Sequence, residues 1–195
     1  PCKPRPWYAK AGFDSQAAFA ETDPAFRTVR SFPMIAQKIV PVAGGRGVWT
    51  FATTFDFPDS AETHGRLLGL RFGHVGQVFA VYLNGRLIAN EGRSDETGVV
   101  FDRTLRKVVF PIPSGVVRPR GNQLVVKIEG DPRYPWTGFY HRASNQIGSY
   151  PELRRDSEER LGLGLVILYL AMGLYHFLLF YFVIFCCYFF FLQSN

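Results

Sequence analysis

The chain has 195 residues, with 22 Lys and Arg against 16 Asp and Glu and a net charge of +6. That length suits one domain of ordinary size plus an extra element. The basic residues are scattered, densest in "RTLRK" and "VVRPRG", which argues against a nucleic-acid partner. The cysteines are Cys2, Cys186 and Cys187, so residues 3–185 hold neither a disulfide nor a cysteine metal site. This fits a cytosolic or bacterial periplasmic domain better than a small disulfide-stapled secreted module.

Residues 1–33 read as an irregular segment, Pro-rich at first, in which "DSQAAFAET" suits one or two helical turns. From Met34 the pattern changes. In "VWTFATTFDFP", Trp49, Phe51, Thr53, Phe55 and Phe57 alternate with smaller or polar residues, the period of a half-buried strand. "LLGLRFG" predicts a second strand with Leu68, Leu70 and Phe72 on one face. "VFAVYL" and "RLIANEG" are joined by Asn84-Gly85. A two-residue type I′ turn needs positive φ at both central positions, and Asn-Gly meets that at low steric cost. "KVVFPIP" and "NQLVVKIEG" predict two more strands around the loop "SGVVRPRG". Short strands with turn signals between them predict an antiparallel β-sandwich over residues 34–150.

Within it, "DPRYPWTGFYHRASNQIGSYPEL" is aromatic and rich in Pro, Gly and Ser, and long irregular loops are more often functional than short ones. Residues 151–160 form a charged linker that suits a short helix running on into the next segment. From Leu161 to Leu192 no Asp, Glu, Lys or Arg occurs. A bilayer core about 30 Å thick needs about 20 apolar residues in a helix, so residues 161–192 read as a transmembrane helix. His176 lies inside it, where an ionisable group is a candidate for function; a neutral imidazole hydrogen-bonded towards a neighbouring helix is the preferred role. Gly162, Gly164, Ala171 and Gly173 are places where helices approach closely. The flank "ELRRDSEER" mixes both signs, so charge gives no orientation. Starting at Pro1 and stopping soon after the apolar run, the chain reads as a piece of a longer product.

Catalytic signatures are missing. The histidines are His64, His74, His141 and His176, and none stands in a His-x-x-x-His or Glu-x-x-His pair. There is no Gly-x-Ser-x-Gly elbow, and "GGRG" at 44–47 lacks the Lys-Ser/Thr of a phosphate loop. Glu91, Asp95 and Glu96 cluster after the hairpin, where charges are usually solvated, rather than as two carboxylates across a cleft. No enzyme, catalytic residue, metal or cofactor is therefore expected. Binding fits better. Arg133, Tyr134, Trp136, Tyr140, His141 and Asn145 combine flat rings with directed polar groups, as a sugar site requires. Trp136 and Tyr140 equally suit anchors that pack the loop on the sandwich or the membrane surface. Glu129 and Asp131 lack the dense carboxylate spacing of a calcium site.

"VWTFATTFDFP…LLGLRFGHVGQVFAVYLNGRLIANEGR…VVFPIPSGVVRPRGNQLVVKIEG" resembles the galactose-binding-like jelly-roll domains. These occur as sugar-binding domains of family 2 glycoside hydrolases. They also occur as extracytoplasmic sensors of bacterial seven-transmembrane receptors with diverse intracellular signalling modules. The downstream "GFYHRASNQIGSYPEL", with Ile147, Gly148, Tyr150 and Leu153, is similar to the receptor group's Gly-aromatic and Ile-Gly-x-Tyr-x-x-Leu elements. The apolar run resembles its first membrane helix, and the resemblance covers about residues 48–182. It implies an all-β, antiparallel jelly-roll β-sandwich (galactose-binding-like) followed by a C-terminal transmembrane α-helix. It also implies a sensor head outside the cytoplasm, in the bacterial inner membrane, with a small-molecule or carbohydrate ligand. The partners implied beyond this chain are further membrane helices and a cytoplasmic output domain. The alternative is an accessory sugar-binding domain of a membrane-tethered glycoside hydrolase.

Overall fold

The computed structural model describes residues 6–15, 23–29, 34–44, 46–57, 66–101, 105–134, 137–139 and 145–193. Two compact units result, Pro1–Arg154 and Arg155–Asn195.

The first unit is built on the alternating segments. β4 (Gly47–Phe55) and β11 (Asn122–Gly130) pair along their whole length, from Asn122 opposite Phe55 to Gly130 opposite Gly47. Antiparallel pairs extend the sheet on both sides. β6 (Val78–Leu83) and β7 (Arg86–Glu91) follow on one flank, and β1 (Trp7–Ala11) and β2 (Arg27–Val29) on the other. The second sheet centres on β5 (Leu68–Gly76), with β10 (Leu105–Ile112) on one edge. Its other edge is shared by β12 (Gly138–Phe139), which also pairs with β3 (Met34–Ile35), and by β13 (Gln146–Ser149). A short helix, α1 (Ala36–Ile39), follows β3, and β8 (Arg93–Asp95) and β9 (Gly98–Phe101) form a separate ribbon.

The inward residues of both sheets meet in one apolar core. Trp49, Phe51, Leu124, Val126, Ile128, Phe79 and Val81 come from the six-stranded sheet, and Leu70, Phe72, Phe110, Ile112 and Phe139 from the five-stranded one. Phe51 meets Phe139 edge-on at 5.4 Å, and Phe79 meets Phe110 at 6.1 Å. Such tilted and edge-on ring pairs each add about 1 kcal/mol beyond the area they bury. The predicted alternation of β4 and the Leu68–Leu70–Phe72 face of β5 thus line the core. The predicted hairpin also forms: Asn84 has φ 52° and Gly85 φ 80°, with Leu83 opposite Arg86.

Residues 1–33, expected to be irregular, supply β1 and β2. The alternation there is short: Trp7 and Ala9 face inward, while Tyr8 and Lys10 face outward. Trp7 reaches Phe139 at 5.3 Å, so this segment closes the core. Most of "DSQAAFAET" lies outside the described residues. The chain then covers the outer face of the sheet. Lys10 binds Asp14 at 2.8 Å and Asp23 at 3.4 Å, and lies over the Phe26 ring.

The charged stretch at 151–160 is helical and runs on into the next segment. β13 ends at Ser149, and α2 (Tyr150–Gln193) begins at the next residue and runs unbroken through the charged stretch. Nothing there interrupts a helix: Pro151 sits in the first turn, where its missing N–H is harmless, and Glu152 complements the helix dipole. The Tyr150 N–H donates to the Leu67 carbonyl at 2.9 Å, and Leu153 is buried. Within α2, Gly164–Phe185 is long and apolar enough to cross a membrane, with a mean hydropathy of 2.0 and none of it buried inside the chain.

The register fixes which loops share an end of the sheets. One end gathers Asp56–Phe57, Leu67, the Asn84-Gly85 turn, the loop 113–121 and the start of α2. Asn84 Nδ2 donates to the Val116 carbonyl, and the Phe57 N–H to the Pro119 carbonyl, tying these loops together. The other end gathers Arg46, Glu91, the β8–β9 ribbon and residues 129–134.

Candidate functional site

The end opposite the start of α2 carries the polar constellation. Glu129 closes β11 with only 6% of its side chain exposed, and three donors converge on it: Arg46, Lys127 and the Ser94 hydroxyl. Burial works to raise its pKa. The hydrogen bonds from Lys127, Ser94 and Arg46 outweigh that and bring it down to about 2. Arg46 also donates to the Ser94 hydroxyl at 3.0 Å and to the Asp95 carbonyl at 2.7 Å. The network therefore clasps the ribbon to the sheet across β11. Beside it, Gln77 Oε1 accepts from the Asp131 N–H and the Thr137 hydroxyl, both at 3.1 Å.

Asp131, whose side chain is only 13% exposed, pairs with the exposed Arg133. Arg133 Nε donates to both carboxylate oxygens at 2.9 and 3.0 Å, and this holds the Asp131 pKa below its ordinary value. The Tyr134 N–H donates to the Asp131 carbonyl at 3.0 Å, closing a turn that leaves the Tyr134 ring 51% exposed. Arg133 and Tyr134 are thus adjacent in the chain and both accessible.

Asn145 stands apart from them. Between the part of β5 paired with β12 and the part paired with β13, Asn145 Oδ1 accepts the Gly73 N–H at 2.9 Å. Its amide stands in for a missing backbone partner, and the adjacent Gln146 accepts from Arg71 at 2.8 Å. Asn145 therefore holds β13 against β5. Trp136, Tyr140 and His141 lie outside the described residues. Of the Gly-aromatic element, Gly138 has φ 144°, and a Cβ there would collide with the Met34 carbonyl oxygen. Phe139 is a fully buried core ring. This element serves the packing of β12 between β3 and β5.

Glu129 and Asp131 are each held by cations. Among the described residues no group of three or more His, Cys, Asp or Glu comes together for a metal. Glu91 ends β7, and Asp95 caps its own turn by accepting from the Thr97 N–H at 2.8 Å. The Glu129 network escaped sequence reasoning because its members come from residues 46, 94, 127 and 129. The one local signal was an acidic residue on the outer parity of a strand otherwise made for burial.

In class, the chain is a mostly antiparallel β protein with a C-terminal apolar helix. No family model and no curated protein sequence matches it. Among solved structures it is similar to Ruminococcus gnavus β-glucuronidase. In complex with uronic isofagomine, that enzyme shares 21% identity at a TM-score of 0.43, over 67% of this chain and 20% of the enzyme. Another crystal structure of it gives 20% identity and a TM-score of 0.44, over 67% and 21%. The chain thus spans about a fifth of the length of these enzymes.

Proposed function

We propose that the chain is the ligand-sensing head and first membrane helix of a bacterial signal-transduction receptor. The head is read as a galactose-binding-like jelly roll outside the cytoplasm. Its receptor-type sequence elements support this: Ile147-Gly148 lies in β13, Tyr150 opens α2, and Leu153 seats the helix in the head. The observation that carries the reading is the direct passage from β13 into α2 without an intervening loop. A ligand that favours one arrangement of the first helical turn over another shifts the population of the membrane segment. The proposed ligand is a carbohydrate or small polar molecule contacting Tyr134 and Arg133. Binding rather than catalysis is proposed, because Glu129 and Asp131 are engaged by cations.

The test is a thermal-shift screen of the full chain in detergent with mono- and oligosaccharides and polar metabolites. Binding to the native state raises Tm with ligand concentration. A Tm increase that Tyr134→Ala abolishes is expected. A panel that leaves Tm unchanged, or an increase that Tyr134→Ala does not touch, counts against this site.

A further inference from the structure

The end of the sheets from which α2 starts carries exposed Arg66, Arg86, Arg118 and Arg120. Around them stand Leu67 and Leu87, each 49% exposed. The register and the bonds from Asn84 to Val116 and from Phe57 to Pro119 bring these loops to one rim. The acids of the rim loops are Asp56, which accepts the Gly121 N–H at 2.8 Å, and Glu152 at the start of the helix; further along α2, Asp156, Glu158 and Glu159 alternate with Arg154, Arg155 and Arg160. The rim is therefore basic, with two exposed leucines. At the opposite end Glu129 is bound by Arg46 and Lys127, and Asp131 by Arg133.

We infer that this rim is a lipid-binding surface that takes the phosphates of anionic phospholipid headgroups. The inference rests on the reading of α2 as a membrane span. Residues 155–163 separate the head's last residue from the span at Gly164. At about 1.5 Å per helical residue they reach no further than about 15 Å. A headgroup layer and a Debye length of about 8–10 Å fill that interval, so the start of α2, at the rim's end of the sheets, lies within the field of the surface. Basic groups near an anionic membrane each contribute on the order of a fivefold gain in association, and exposed leucines add apolar insertion at the headgroup boundary. A bilayer is favoured over a protein partner because the chain itself delivers one to this end.

The experiment places the full chain in nanodiscs of phosphatidylcholine alone, or of phosphatidylcholine with phosphatidylglycerol, and follows amide hydrogen exchange. Exchange at residues 84–87 and 113–121 is expected to slow several-fold only with phosphatidylglycerol. High salt, or the combined Arg86→Gln, Arg118→Gln and Arg120→Gln changes, removes the effect, while Arg133→Gln at the opposite end leaves it. These side chains are exposed, so the fold tolerates the changes. Equal exchange in both lipids, or slowing that survives the triple change, overturns the rim surface. A chain that does not enter nanodiscs of either composition overturns the membrane span itself, and the rim with it.

Discussion

At the residue scale, two polar groups, the buried Glu129 and the half-buried Asn84, carry more than their size suggests. Glu129 has a pKa of about 2 in the fold against an ordinary 4.5. A depressed carboxylate contributes stability that is present above the unfolded value and is lost as pH falls through the folded one. The fold is therefore expected to lose about 2 kcal/mol between pH 4.5 and 2 from this group, discounted for the partly exposed Arg46. Glu129→Gln should cost about that much at pH 7 and progressively less as pH falls through this window. Urea unfolding at several pH values checks it; a penalty independent of pH contradicts it. Asn84 acts in two ways. It accepts positive φ in the turn, and its side chain binds Val116, Asn122 and the Gln123 N–H. Asn84→Gly keeps the turn and loses the bonds, for about 2 kcal/mol. Asn84→Ala should cost about 1–2 kcal/mol more, because a Cβ resists the left-handed conformation. Equal losses would show that the turn geometry contributes nothing.

At the scale of elements, legibility followed burial. β4, β5, β6, β10 and β11 alternate because one face of each lines the core, and Asn84-Gly85 names its own turn. β1 and β2 were hidden. Their apolar alternation runs over a few residues beside Pro and Lys, and their place in the sheet is set by contacts with Ala52 and Phe139 that are remote in sequence. The proposed site was legible only in composition. The sequence placed Arg133, Tyr134 and Asn145 in one loop, whereas Asn145 belongs to the β5 ladder and the other two to a turn at the far end of the sheets. Gly138 looked like a family signature; its physical reason is the close approach of Met34. Gly138→Ala is expected to cost several kcal/mol through that collision, read as a lowered Tm. A Tm within a degree of the parent would mean that β12 can shift away from β3.

At the scale of the whole molecule, an antiparallel β head runs into an apolar helix without an intervening loop. If the first turn of α2 transmits the state of the head, a Gly/Ser insertion after Leu153 uncouples ligand from output in the proposed receptor while ligand binding to the head persists. Unchanged signalling after insertion contradicts the proposed coupling. Everything further, from sensing to the basic rim, depends on Gly164–Phe185 residing in lipid. The most direct measurement is alkaline carbonate extraction of bacterial membranes from cells expressing the full chain. The chain is expected to remain in the membrane pellet, and to be released when several residues of 164–185 are replaced by charged ones. Recovery of the unaltered chain as a monodisperse soluble protein would contradict the account.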